Sequence, residues 1–152
     1  MSRSIANIQY LEAKNLAHWI KSKDVAPLFQ VIDNRGSDYV GGHIKDCWNY
    51  PYKHLDDTHL DKLYNELKDR LDQARLSSSS STDAIKMNAI FHCAQSQQRG
   101  PAAAMKFLRY LPDDQLGNYK IWVLRGGFNH WQDLYGEDKD LTEDYEPDIW
   151  AW

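Results

Sequence analysis

Apolar and polar positions alternate along this chain in two rhythms. Nearly continuous apolar runs occur at Leu28-Phe29-Gln30-Val31-Ile32, closed by Asp33, at Met87–His92 and at Tyr119–Leu124. Such runs suit strands covered on both faces, as in a parallel sheet. Shorter patches at 7–11 and 47–50 add two candidate strands, the second stopped by Pro51. Between the runs the period lengthens. Leu16, Trp19 and Ile20 recur at helical spacing within 12–21. Across 58–76 the leucines at 60, 63, 67 and 71 keep one face apolar, with Asp57 or Thr58 as the expected N-cap. An alanine-rich helix is predicted over 102–111, closed by Pro112, and a short one over 129–134. Alternation of strand and helix predicts an α/β domain with a central, mainly parallel sheet and helices on both faces.

Composition narrows the function classes. The 152 residues fit one domain, 1–152, and the serine run near 77–82 reads as a mobile loop inside it, since neither flank is large enough for its own core. A net charge of −4, with Lys and Arg scattered, leaves no electrostatic footprint for nucleic acid or a membrane surface. The first residues lack the apolar core of a signal peptide, so the expected compartment is the cytoplasm. Cys47 and Cys93 then read as free thiols. The acidic, aromatic stretch 136–152 is expected to drape over the surface, with Trp150 and Trp152 packing onto the core, the commoner fate of such aromatics, or forming a docking edge.

The informative stretch is an apolar strand, His92-Cys93, five residues without a bulky apolar side chain, then Arg99-Gly100-Pro101 and a helix. N–H groups at a helix start have no partner inside the helix. Those from Ala94 through Gln95, Ser96, Gln97 and Gln98 to Arg99, curled into a cup, are expected to cradle one anion. The Arg99 fork would grip two oxygens of that anion. Thiols placed at helix starts typically titrate at roughly 3.5–7.5, so Cys93 is the expected nucleophile, attacking phosphorus to give a phosphocysteine that water hydrolyses. His92 is expected to point away from the cup and support its backbone. Asp33 and Arg35 read as structural support, and Arg125 either as a cation beside the cup that meets the substrate or as an exposed, solvated side chain. His54 and His59 are five apart and lack companion ligands, so neither a metal nor a cofactor is expected.

Several separated motifs carry a family resemblance: Asp33 and Arg35, Tyr39, Gly42-His43-Ile44, Asn49, Pro51, the 92–101 loop, and Leu124-Arg125-Gly126-Gly127-Phe128 with Trp131. Together they resemble the rhodanese-fold phosphatases of the cell-division-cycle (M-phase inducer, dual-specificity) group, most of all its small single-domain yeast member, with the eukaryotic arsenate reductases as near relatives. The resemblance implies a five-stranded rhodanese-like sheet, a protein phosphatase acting on phosphotyrosine or other phosphomonoesters, and a nuclear as well as cytoplasmic location. The seven residues from Cys93 to Arg99 match the phosphate- and arsenate-sized loop, one longer than in the sulfurtransferases. Two departures stand out. Positions 94–98 hold no acid where the inducer phosphatases have one, and Asn34 replaces their second cysteine. The alternatives are an arsenate reductase served by glutathione and glutaredoxin, and a non-catalytic module that docks phosphorylated partners.

Overall fold

The computed structural model describes residues 3–22, 24–78 and 84–151. The expected serine-rich loop lies outside them from 79 onward, as does Trp152. Strands β1 (Ile8–Leu11), β2 (Phe29–Asp33), β4 (Trp48–Asn49), β5 (Met87–His92) and β6 (Tyr119–Leu124) form one all-parallel sheet in the order β1-β6-β5-β2-β4. Residues of β5, the middle strand, are buried without exception, which is why its sequence shows no alternation.

Helices cover both faces. Leucines 60, 63, 67 and 71 of α2 (Asp57–Ser77) pack with Ala103, Ala104 and Phe107 of α3 (Arg99–Tyr110) against Met87, Ala89 and Phe91. On the other face Leu16 and Ile20 of α1 (Ala13–Lys21) join Phe128 and Trp131 of α4 (Gly127–Tyr135) against Val31 and Ile90. The cap of α2 is Asp56, one residue before the expected pair: its backbone is extended and its carboxylate accepts the His59 N–H at 3.0 Å. Helix α3 starts at Arg99, three residues before the alanine run, and thereby brings the arginine into its first turn.

The acidic tail is more integrated than a surface drape. β7 (Thr142–Glu143) pairs antiparallel with β3 (His43–Ile44), while Leu141 and Thr142 are buried. Thr142 Oγ1 accepts the Trp131 indole N–H and donates to the Tyr135 carbonyl. Within α5 (Pro147–Trp150), Trp150 lies on Phe128, ring centres 5.6 Å apart, and its N–H reaches the Gly41 carbonyl. Two-residue strands have no period to read, so this pairing left no trace in the sequence pattern.

Candidate active site

The 93–99 loop leaves the carboxyl end of β5, the end at which open α/β sheets bind ligands. The Ser96 and Gly100 N–H groups donate to Cys93 Sγ at 3.2 and 3.4 Å. Ser96 adopts a left-handed backbone, φ 56°, turning the chain back over the sulfur, and its hydroxyl accepts the Cys93 N–H at 3.4 Å. Among the described residues, the N–H groups of Ala94, Gln95, Gln97 and Gln98 take no acceptor. These four N–H groups and the start of a twelve-residue helix follow the thiol directly in the chain. The side chains of Gln95, Gln97 and Gln98 are exposed, whereas Ser96 is buried.

Two glycines hold the loop from either side. A Cβ on Gly100 would lie 3.1 Å from His92 Cα, so the absence of a side chain lets α3 close on the end of β5. Gly127 has φ 58°, and a Cβ there would lie 2.5 Å from the carbonyl oxygens of both Cys93 and Ala94. Those carbonyls accept the Phe128 and Asn129 N–H groups at 3.0 and 2.9 Å, so the N-terminus of α4 anchors the loop. The sequence showed the Gly126-Gly127 pair as a motif, but its function depends on this close approach.

Asp33 and Arg35 lie beneath. Asp33, fully buried, accepts from the Arg35 backbone N–H at 3.0 Å and from its guanidinium at 2.9–3.1 Å. Arg35 also donates to the Gly42 carbonyl at 2.8 Å and to those of Asp38 and Val40 at 3.4 Å, with the Phe128 ring 4.3 Å from its guanidinium carbon. The pair ties β2, the 38–42 turn and α4 into one support. His92 Nδ1–H donates to the Cys93 carbonyl at 3.0 Å, and its Nε2 lies 3.6 Å from Asp33.

Burial holds the His92 pKa below the ordinary imidazole value, against the opposing pull of the Asp33 charge. The unfolded chain therefore binds a proton that the folded one refuses, and stability falls as pH drops below about 6.5. His92→Asn, which keeps a donor, is expected to flatten the fall in urea midpoint between pH 7 and pH 5. An unchanged slope would assign the acid sensitivity elsewhere.

Arg99 is held by a residue that the sequence reading passed over. Its two terminal nitrogens donate to the two carboxylate oxygens of Asp38 at 2.8 and 2.7 Å. That pairing lowers the Asp38 pKa to about 2. Asp38 is thus ionised at neutral pH and has no proton for a leaving group. Arg125 is exposed; it pairs with Glu12 at 2.7 Å and lies over Tyr10, two residues before the Gly127 anchor. Cys47 is no partner for Cys93. Its thiol faces the Tyr39 hydroxyl at 3.7 Å, and burial pushes its pKa up to about 12. By strand register it lies two strands away and three residues below Cys93, about 10 Å in each direction, whereas a disulfide needs Cα atoms within about 7 Å. Among the described residues no cluster of His, Cys, Asp or Glu is placed to hold a metal. Neither is any helix there long and apolar enough to cross a membrane. A cavity of about 1250 Å³, lined by Trp19, Phe29, Trp48, Arg70 and Trp122 among others, opens at the amino ends of the strands and shares no residue with the loop.

With this geometry in place, the chain was compared with known proteins. Residues 12–134 match the model of the rhodanese-like domain. The chain belongs to that family. It is 45% identical to the CDC25-like phosphatase YCH1 of Saccharomyces cerevisiae over 98% of both chains. The crystal structure of S. cerevisiae Ygr203w, described as a homologue of single-domain rhodanese and the Cdc25 phosphatase catalytic domain, is 44% identical and superposes with a TM-score of 0.81, covering 98% of this chain and 95% of that one. The As-Sb reductase of Leishmania major superposes with a TM-score of 0.69 at 28% identity, covering 89% and 84%. The chain is thus similar both to a CDC25-like phosphatase and to an As-Sb reductase.

Proposed function

We propose that the chain is a cysteine-dependent phosphatase that hydrolyses phosphotyrosine, in proteins or as small aryl phosphates, through a phosphocysteine. One observation carries the reading: Cys93 Sγ sits under two N–H donors within a loop that has four more to spare, with Arg99 beside it. The thiolate attacks phosphorus, and the S–P bond forms as the P–O bond to the leaving group breaks. Water then attacks phosphorus, the S–P bond breaks, and phosphate leaves with the thiolate restored. Loop N–H groups and the guanidinium face the equatorial oxygens, where charge gathers in the trigonal-bipyramidal transition state.

The leaving oxygen departs without a donor from the loop, because positions 94–98 carry no acid and Asp38 is ionised. A general acid commonly contributes 10²–10⁴-fold, so turnover is expected to depend steeply on the leaving group. Purified protein should release phosphate from 4-nitrophenyl phosphate and from phosphotyrosine, and far more slowly from phosphoserine. Arsenate reduction is the second reading, favoured by the similarity to the As-Sb reductase. The insulation of Cys47 means that it would require an outside thiol. The same preparation is assayed on arsenate with glutathione and glutaredoxin, and on thiosulfate with cyanide. Turnover of arsenate alone replaces the phosphatase reading. Inactivity on all three, with phosphate still bound, replaces it with a docking module.

A further inference from the structure

The Arg99 partner suggests how the loop is kept ready for an oxyanion. We propose that Asp38 is a positioning residue: it fixes the Arg99 guanidinium by its outer edge so that the two-donor flank of Nε and its neighbouring terminal nitrogen is free to face the space above Cys93. This rests on reading the 93–99 loop as an oxyanion site.

The geometry supports each part. A guanidinium carries five N–H donors in a rigid plane. Two go to the Asp38 carboxylate at 2.7 and 2.8 Å, one from each terminal nitrogen, which leaves the Nε–H and the terminal N–H beside it as a pair on one flank and a single N–H on the other. The Cys93 side chain is near enough to couple electrostatically with the guanidinium. Asp38 is itself immobilised. Its Oδ1 accepts the Gly36 N–H at 3.1 Å, and its carbonyl accepts from the buried Arg35. A chain of contacts therefore runs from the Asp33–Arg35 pair, through the backbone and carboxylate of Asp38, to the guanidinium. Long side chains lose considerable rotamer freedom when they close on a ligand. A guanidinium already held by its outer edge has lost that freedom beforehand, and near a reacting phosphoryl group small misplacements are costly.

The alternative with opposite consequences is that Asp38 competes with the oxyanion for Arg99. Asp38→Asn and Asp38→Glu, alone and in an Arg99→Ala background, separate the two. A positioning role predicts that Asp38→Asn lowers kcat for 4-nitrophenyl phosphate about tenfold with little change in KM. It also predicts that orthovanadate, which resembles the trigonal-bipyramidal state, loses more affinity than inorganic phosphate. Asp38→Glu should recover most of the loss. In the Arg99→Ala background Asp38→Asn should add nothing, because both changes act through one group. Tighter phosphate binding by Asp38→Asn overturns the proposal in favour of competition. An equal loss with Arg99 absent overturns it too, as does a loss that only follows the unfolding temperature. Wild-type protein without phosphatase turnover defeats the hydrolase reading alone; the vanadate and phosphate affinities of the variants still decide Asp38.

Discussion

Cys93→Ser is expected to abolish release of phosphate from 4-nitrophenyl phosphate, by a factor on the order of 10⁴ or more, while leaving the affinity for inorganic phosphate within a few-fold. Replacing a nucleophile outright is among the largest single effects in enzymes that form covalent intermediates. The reason lies in the two halves of the site. In the proposed mechanism the chemistry depends on the sulfur, because a hydroxyl is far harder to ionise than a thiol. The side chains at this end of β5 include Ser96, His92, Arg99 and Asp38, whose carboxylate is taken by the Arg99 guanidinium. His92 Nδ1 is committed to the Cys93 carbonyl. Binding, in the same proposal, depends instead on the loop N–H groups and Arg99, none of which the substitution removes. The smaller oxygen also leaves the Ser96 and Gly100 N–H groups in place. Turnover assays together with calorimetric titration of phosphate test both halves. Retained turnover in the variant removes Cys93 from the mechanism, and joint loss of turnover and binding means that the loop has collapsed.

The contrast between these halves follows what the sequence made visible. The proposed nucleophile and its arginine lie on one short stretch between a buried strand and a helix, so local spacing was enough to suggest them. The strands of the sheet were legible for a similar reason: β5 and β2 are covered on both faces, and a strand so covered is written in apolar residues alone. Asp38 was not legible. It lies in a polar turn, 61 positions from Arg99, and nothing in Gly36-Ser37-Asp38 distinguishes an anchoring carboxylate from a solvated one. Gly127 appeared as half of a glycine pair, but the need for it is set by carbonyl oxygens 33 and 34 residues upstream. The β3–β7 pairing and the seat of Trp150 on Phe128 are likewise tertiary, decided by which surfaces meet once the sheet has formed. Local chemistry was written locally; the supports that aim it were not.

The largest expected effect on stability belongs to those supports. Asp33→Ala is expected to destabilise the fold by about 3–5 kcal/mol, the usual consequence of removing one member of a buried ion pair. Asp33 is fully buried and Arg35 almost so, and the carboxylate takes the Arg35 backbone N–H as well as its guanidinium. Without it the guanidinium keeps the Gly42 carbonyl and the Phe128 face, but its buried charge loses its counter-ion. For a domain of this length each kcal/mol corresponds to roughly 2–4 °C in the midpoint, so a fall on the order of 10 °C should appear in thermal unfolding. The loss is one of charge balance more than of packing, which gives a sharper test. Replacing both members by apolar residues of similar volume, Asp33→Leu with Arg35→Met, should cost less than Asp33→Ala alone, since buried pairs often exchange for hydrophobic contacts at little cost. The double variant should nevertheless lose activity, because Arg35 also holds the Asp38 carbonyl and, through Asp38, the guanidinium of Arg99. Stability regained without activity would separate the two duties of the pair. A cost below about 1 kcal/mol for Asp33→Ala would mean that the pair contributes little to the fold, and the support beneath the loop would then have to be sought in the glycine contacts of α3 and α4.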